Sequence, residues 1–252
     1  MKELLHKEFR ELWRTKKILI VVAILFVFGL IGPLSIKYLP LILTTIPGVP
    51  EGLEEFMPKA DITMAVDEYV QNLSQFGVIL AILVPMAAIV GEKTSGTAVM
   101  VLSKPVSRAS FLGAKWVLYG SLFIVGVVVA SLGGYYYIGV LFDWLGWLNF
   151  LALNALIVVY LLGFMSITLF ASSICPSQLA AAGLSFGVLI LFGLLGAIPS
   201  ISPYLPISLL RWGGELALGT RGDAAWGALI VNGLIIGITW LASWMSFRLQ
   251  EL

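Results

Sequence analysis

Few residues of this 252-residue chain are of the types that make and break bonds, and none is spaced for it. The lone histidine, His6, has no second histidine and no H-E-x-x-H frame, so neither a metal-bound water nor a Ser/His/Asp set can be assembled around it. The single cysteine, Cys175, cannot close an internal disulfide and has no Cys or His at ligand spacing, which leaves it the role of a small apolar side chain. Gly91, Glu92, Lys93 and Thr94 end like a phosphate-binding loop but lack the upstream glycine whose neighbouring N–H groups would cradle a phosphate. The carboxylates Glu51, Glu54, Glu55, Asp61, Asp67 and Glu68 match no Ca²⁺ loop, and a solvated acidic face accounts for them. The chain is therefore expected to be no enzyme by itself and to hold no metal or cofactor.

What must be positioned is instead a polar island, Glu92 to Lys115, lying between two apolar runs each long enough to cross a bilayer. Charged residues make up 12% of the sequence and the apolar set 60%, with a mean hydropathy of +1.01, which is the composition of a chain dissolved in lipid. The net charge of +1 and the scatter of Lys and Arg around apolar runs exclude a nucleic-acid face. Six segments meet the length of about 20 apolar residues that a spanning helix needs: about 18–37, 74–91, 114–141, 147–173, 178–199 and 224–247. The first exceeds the apolar core of a signal peptide and has no clear cleavage site, so it reads as a retained span. The span-internal polar residues are neutral, among them Asn154, Ser166, Asn232 and Thr239, so no ionisable group is expected where a proton- or sodium-driven carrier needs one. Interhelical hydrogen bonds are the default role for both asparagines.

Charge sets the orientation. Lys2, Lys7, Arg10, Arg14, Lys16 and Lys17 precede the first span, Lys93, Lys104, Arg108 and Lys115 occupy the island, and Arg248 follows the last span. Positive loops stay on the cytoplasmic side, which predicts cytoplasmic termini in the cell membrane. Within residues 1–17, Leu4, Leu5, Phe9, Leu12 and Trp13 recur at helical spacing opposite Lys2, Glu3, Lys7, Arg10, Glu11 and Arg14, an amphipathic interfacial helix. The outer loop, 38–73, carries two short amphipathic patterns, one around Leu53, Phe56 and Met57 and one over Val66, Tyr69, Val70 and Leu73. Pro199, Pro203 and Pro206 break the chain after the fifth span, and residues 200–223 read as an outer helical hairpin. Gly183/Gly187 and Gly233/Gly237 form small-residue stripes that serve packing within one subunit as readily as a dimer seam.

Within the island, Gly96 and Thr97 open a short helix through Val99, Met100, Val101 and Leu102 whose apolar face could enter a cleft on a soluble partner. Pro105 ends it and favours the next helix start, Arg108 and Lys115 can snorkel to headgroups, and Glu92 can pair with a base of the N-terminal helix. Glu92, Gly96, Thr97, Leu102, Pro105, Val106, Ser107, Arg108, Phe111 and Lys115 together resemble the segment of type-2 ATP-binding-cassette membrane subunits, the exporter-like permeases, that follows the second span and carries the cytoplasmic coupling helix.

The resemblance implies an all-α membrane protein with that coupling helix, six spans and an outer hairpin, dimeric with itself or a similar permease. It also implies a separate ATPase partner that binds ATP and Mg, export of a substrate, and a substrate path at the subunit interface lined by the first, second and fifth spans. A different class, a docking or force-transmitting subunit that the same ATPase moves against an extracytoplasmic partner, is kept open by the long acidic loop at 38–73. A membrane-embedded enzyme has no paired catalytic residues to support it.

Overall fold

The computed structural model describes residues 2–45, 59–103, 106–220 and 222–249. Among these there are helices and no strands: α1 (Lys2–Arg14), α2 (Lys17–Thr45), α3 (Ile62–Leu83), α4 (Val90–Thr94), α5 (Thr97–Leu102), α6 (Arg108–Leu141), α7 (Trp147–Ile174), α8 (Gln178–Gly196), α9 (Ser208–Ala217) and α10 (Trp226–Leu249). Local chemistry sets several boundaries. The carboxylate of Asp61 accepts from the Met64 N–H and starts α3, while Ser107 and Ser177 do the same for α6 and α8. Pro176 disfavours a helical Cys175, whose ψ of 152° ends α7.

Five of these helices are long and apolar enough to cross a membrane: α2, α6, α7, α8 and α10. The expected second span, 74–91, is not one helix. α3 begins outside it at Ile62 and stops at Leu83, residues 84–89 form turns around Pro85, and the chain becomes helical again only at Val90. Proline has no N–H to donate and its ring crowds the preceding turn, which explains the break. The pattern over Val66, Tyr69, Val70 and Leu73 belongs to the same continuous α3 rather than to a separate short helix. The companion pattern around Leu53, Phe56 and Met57 lies outside the described residues.

α7 is the hub. About 67% of its apolar window is buried, against 17% for α8 and for α10, and it touches α3, α6, α8, α9 and α10. Polar side chains hold this arrangement where water cannot compete. The Tyr69 hydroxyl of α3 donates to Asn154 of α7 at 2.7 Å, and the Asn154 amide donates back to Phe150 O. Further along, Asn232 of α10 donates to Val159 O, Thr239 meets Ser166, and Ser173 donates to Ser243. Between α8 and α10 come a short turn at Ser202–Tyr204 and α9, and α9 lies on the first half of α7, with Gly213 against Leu153. A Cβ added at Gly183, Gly187, Gly233 or Gly237 would meet nothing within 4 Å among the described residues, so against those residues the two stripes make no close helix contact.

A close approach that does depend on a missing side chain is at Gly32 of α2, where an added Cβ would lie 3.0 Å from the Tyr69 backbone nitrogen and 3.2 Å from its Cα. Backbone cannot step aside as a flexible side chain can. Gly32→Val is expected to separate α2 from α3 and cost about 1–3 kcal/mol of unfolding free energy in detergent, whereas Gly233→Val leaves the isolated subunit unchanged.

Candidate functional site

The two islands of charge, residues 1–17 and 92–115, meet at one end of the bundle. α1 buries Leu4, Glu8 and Leu12, one residue per turn, against the start of α6 and α2. Of the apolar face expected here, Leu12 is buried and Leu5 half-buried, while Phe9 and Trp13 point outward with rings stacked 6.3 Å apart, Trp13 being 66% exposed. The middle of the buried stripe is thus a carboxylate. Glu8 is 2% exposed and Lys115 of α6, directly opposite, has no exposure at all.

Lys115 does not snorkel. Its ammonium donates to both oxygens of Glu8 at 2.9 Å and to Glu92 Oε1 at 2.5 Å. The same Glu92 oxygen accepts from Lys7 of α1 at 2.7 Å, and Lys7 also contacts Glu8 at 3.1 Å. Two carboxylates and two ammoniums therefore close a neutral ring joining α1, α4 and α6. Both ammoniums lie over the Phe111 ring, Lys115 at 5.0 Å and Lys7 at 5.9 Å, and Phe111 stacks on Phe247 of α10. The expectation that Lys115 reaches out to headgroups is corrected here: it is buried near the start of α6, and its paired carboxylates make that burial tolerable. Glu8, Glu11 and Glu92 also lie close enough together to hold a cation, but two lysines already neutralise Glu8 and Glu92.

α4 is tied on its other side to the end of α7. The Ser172 hydroxyl accepts the Ile89 and Val90 N–H groups, which a helix start leaves without partners, and Lys93 donates to Ser173 O at 3.0 Å. Gly96, with φ of +72°, is the left-handed turn that ends α4 and redirects the chain into α5. Thr97 then begins α5, its hydroxyl 2.8 Å from that of Ser95, and Leu102 is the last residue of that helix. Pro105 lies outside the described residues. Arg108, rather than reaching only for headgroups, donates to Phe247 O and Arg248 O in the last turn of α10, where helix carbonyls lack partners.

Between α1 and α5 lies a cleft of about 1120 Å³ lined by His6, Lys7 and Arg10 on one side and Met100, Val101 and Val106 on the other. Met100 is 72% exposed, so the short helix presents an apolar side chain beside a charged wall. Sequence reading missed Glu8 and Ser172. Glu8 carried a signal, since it lies four residues from both Leu4 and Leu12 and so falls on the apolar stripe; Ser172 looked like any small polar residue in a span.

The ABC-2 family transporter protein profile matches residues 3–205, from α1 to the turn before α9. The chain is also similar to the uncharacterized transmembrane protein YxlG of Bacillus subtilis (strain 168), 27% identical over 261 aligned positions that cover 100% of this chain and 98% of that protein.

The ring makes the junction sensitive to acid. Burial alone would raise the Glu92 carboxyl, but the Lys115 charge and the hydrogen bonds from Lys115 and Lys7 prevail and hold it below its ordinary 4.5. Burial likewise pulls Lys7 down, yet Glu92 and Glu8 outweigh it and keep the ammonium above 10.5. A depressed carboxylate stabilises fully above its unfolded value and stops doing so as pH falls through its folded one; a raised lysine stabilises fully below 10.5. Hydrogen exchange of α1 peptides, corrected for intrinsic rates, should show constant protection near neutral pH and a loss below 4.5, with part of that acid limb absent in Glu92→Gln. Protection that ignores acid would contradict this.

Proposed function

This chain belongs to the ABC-2 family of transporter proteins, the membrane permease components of ATP-binding-cassette transporters, and we propose that it is an exporter subunit driven by a separate ATPase docking on α5. ATP and Mg belong to that partner. The observation that carries the reading is the ring of Lys7, Glu8, Glu92 and Lys115, because it joins the surface a partner would push to a transmembrane helix. A force on α5 passes through the Gly96 turn into α4, from Glu92 into α6 and α1, and from the Ser172 and Ser173 contacts into α7.

In this reading Glu92, Gly96, Thr97, Leu102, Pro105, Arg108 and Lys115 make up the coupling region. The sixth crossing starts in the apolar second half of α3, beyond Asp67, Glu68, Gln71 and Asn72, and continues through the turns at 84–89 to α4. The basic end, with both termini, faces the cytoplasm of a cell with this protein in its plasma membrane, and α9 lies outside. Two copies, or one with a similar permease, meet through sparsely covered faces such as that of α8, where Gly183 and Gly187 allow close approach. The substrate path runs at this seam, lined by α2, α3 and α8.

The test is co-purification and ATPase coupling with the partner, with Met100→Asp and Leu102→Asp placed on α5. Both are expected to lower capture at least tenfold, the consequence of losing about 1.4 kcal/mol of apolar docking, while the permease itself remains folded. Unchanged capture and unchanged ATPase activity would remove α5 from the coupling role. ATP-dependent flux in proteoliposomes separates transport from the force-delivering alternative, which predicts hydrolysis without movement of any solute.

A further inference from the structure

The elbow between α1 and α2 builds a second cleft, of about 900 Å³, which shares only Arg14 with the one beside α5. Lys16, with φ of +56°, takes the left-handed turn that swings α1 away from the axis of α2. The notch so opened has Trp13, Arg14 and Lys16 at its mouth. Its walls are apolar, formed by Leu19, Ala23 and Phe26 of α2 and by Val125 and Val129 of α6.

Level and depth both fit a lipid. The apolar span starts at Lys17, so Arg14 and Lys16 stand at the height of phospholipid headgroups. From Lys16 to Phe26 the helix rises about 15 Å, roughly half the hydrocarbon thickness, the depth of one leaflet. Neither Arg14 nor Lys16 makes a salt bridge among the described residues, in contrast to Lys7 earlier in α1 and to Lys115 of α6. Two uncompensated cations over a one-leaflet apolar groove call for an amphiphile whose head is negative. A transmembrane helix of another protein would fill the groove but leave both charges unanswered. A zwitterionic lipid carries its own cation beside the phosphate.

We propose that this cleft binds one anionic phospholipid, its phosphate between the Arg14 guanidinium and the Lys16 ammonium and an acyl chain against Ala23, Phe26 and Val125. The bound lipid fixes the angle between α1 and α2, and with it the height of Leu4, Glu8 and Leu12 against α6.

The full chain, purified from nanodiscs of equal phosphatidylglycerol and phosphatidylcholine, is examined by native mass spectrometry. The wild type should retain one phosphatidylglycerol in clear preference to phosphatidylcholine. The double change Arg14→Ala and Lys16→Ala should lower that occupancy by roughly tenfold or more, since both bases attract the anionic head. Ala23→Trp, which fills the groove without touching charge, should do the same. Arg14→Lys and Val128→Trp, an exposed position outside the groove, should keep the lipid and show that the fold survives substitution here. Equal retention of both lipids by the wild type, or phosphatidylglycerol unchanged in the Ala and Trp variants, overturns the proposal. So does an Ala23→Trp chain that loses dimerisation with its lipid count intact, since the groove would then be a protein seam.

Discussion

An ammonium with no exposure to solvent, that of Lys115, is costly beneath a membrane surface unless counter-charge is built around it. This chain recruits that counter-charge from two places far apart in sequence, Glu8 in the first helix and Glu92 after the third. Much of the basic end follows from meeting this requirement. α1 must lie flat against α6 to deliver Glu8, and α4 must turn across the bundle to deliver Glu92. Lys7 then closes the ring by balancing the second carboxylate. Ring and scaffold support each other: Phe111 and Phe247 form the apolar floor, and Arg108 secures the end of α10 to the same corner.

The rest of the bundle is held by weaker and more distributed means. In lipid, apolar surface gains little from meeting apolar surface, so close backbone approach and neutral hydrogen bonds do the joining. Gly32 lets α2 touch the backbone of α3, Tyr69 bonds Asn154, and a row of Asn232, Thr239 and Ser243 fixes α10 to α7. The contrast matters for function. A neutral hydrogen-bonded seam can slip between arrangements at modest cost, whereas the charged ring penalises any separation that strands Lys115. α1, α4 and the start of α6 therefore form the stiff part of the molecule, and the sparsely covered α8 and α10 the part free to meet a neighbour.

Long apolar runs were readable because a spanning helix needs nothing but length and hydropathy; the bounds of α6, α7, α8 and α10 lie within a few residues of the expected ones except at the start of α6, which Ser107 caps earlier. The break within 74–91 was not legible because hydropathy does not register one proline in an apolar stretch, and Pro85 sets where α3 stops. Glu92 was legible as a partner for a basic residue of the first helix, and Lys7 supplies one. Lys115 was misread since a lysine at the mouth of a span ordinarily reaches outward; only the three-dimensional meeting with Glu8 explains why it turns in. Gly96 was noticed for the helix it precedes, but its positive φ makes it the joint between two helices.

The stiffness attributed to the ring is tested most directly by a double-mutant cycle between Glu8 and Lys115, comparing unfolding free energies of the wild type, Glu8→Gln, Lys115→Met and the pair. The single changes each leave a buried charge short of its partner, and the double change removes both. The account predicts a coupling of about 1–3 kcal/mol, the double variant being less impaired than the sum of the singles. Strict additivity would mean that the two groups do not depend on each other, and the ring could not be what binds α1 to α6.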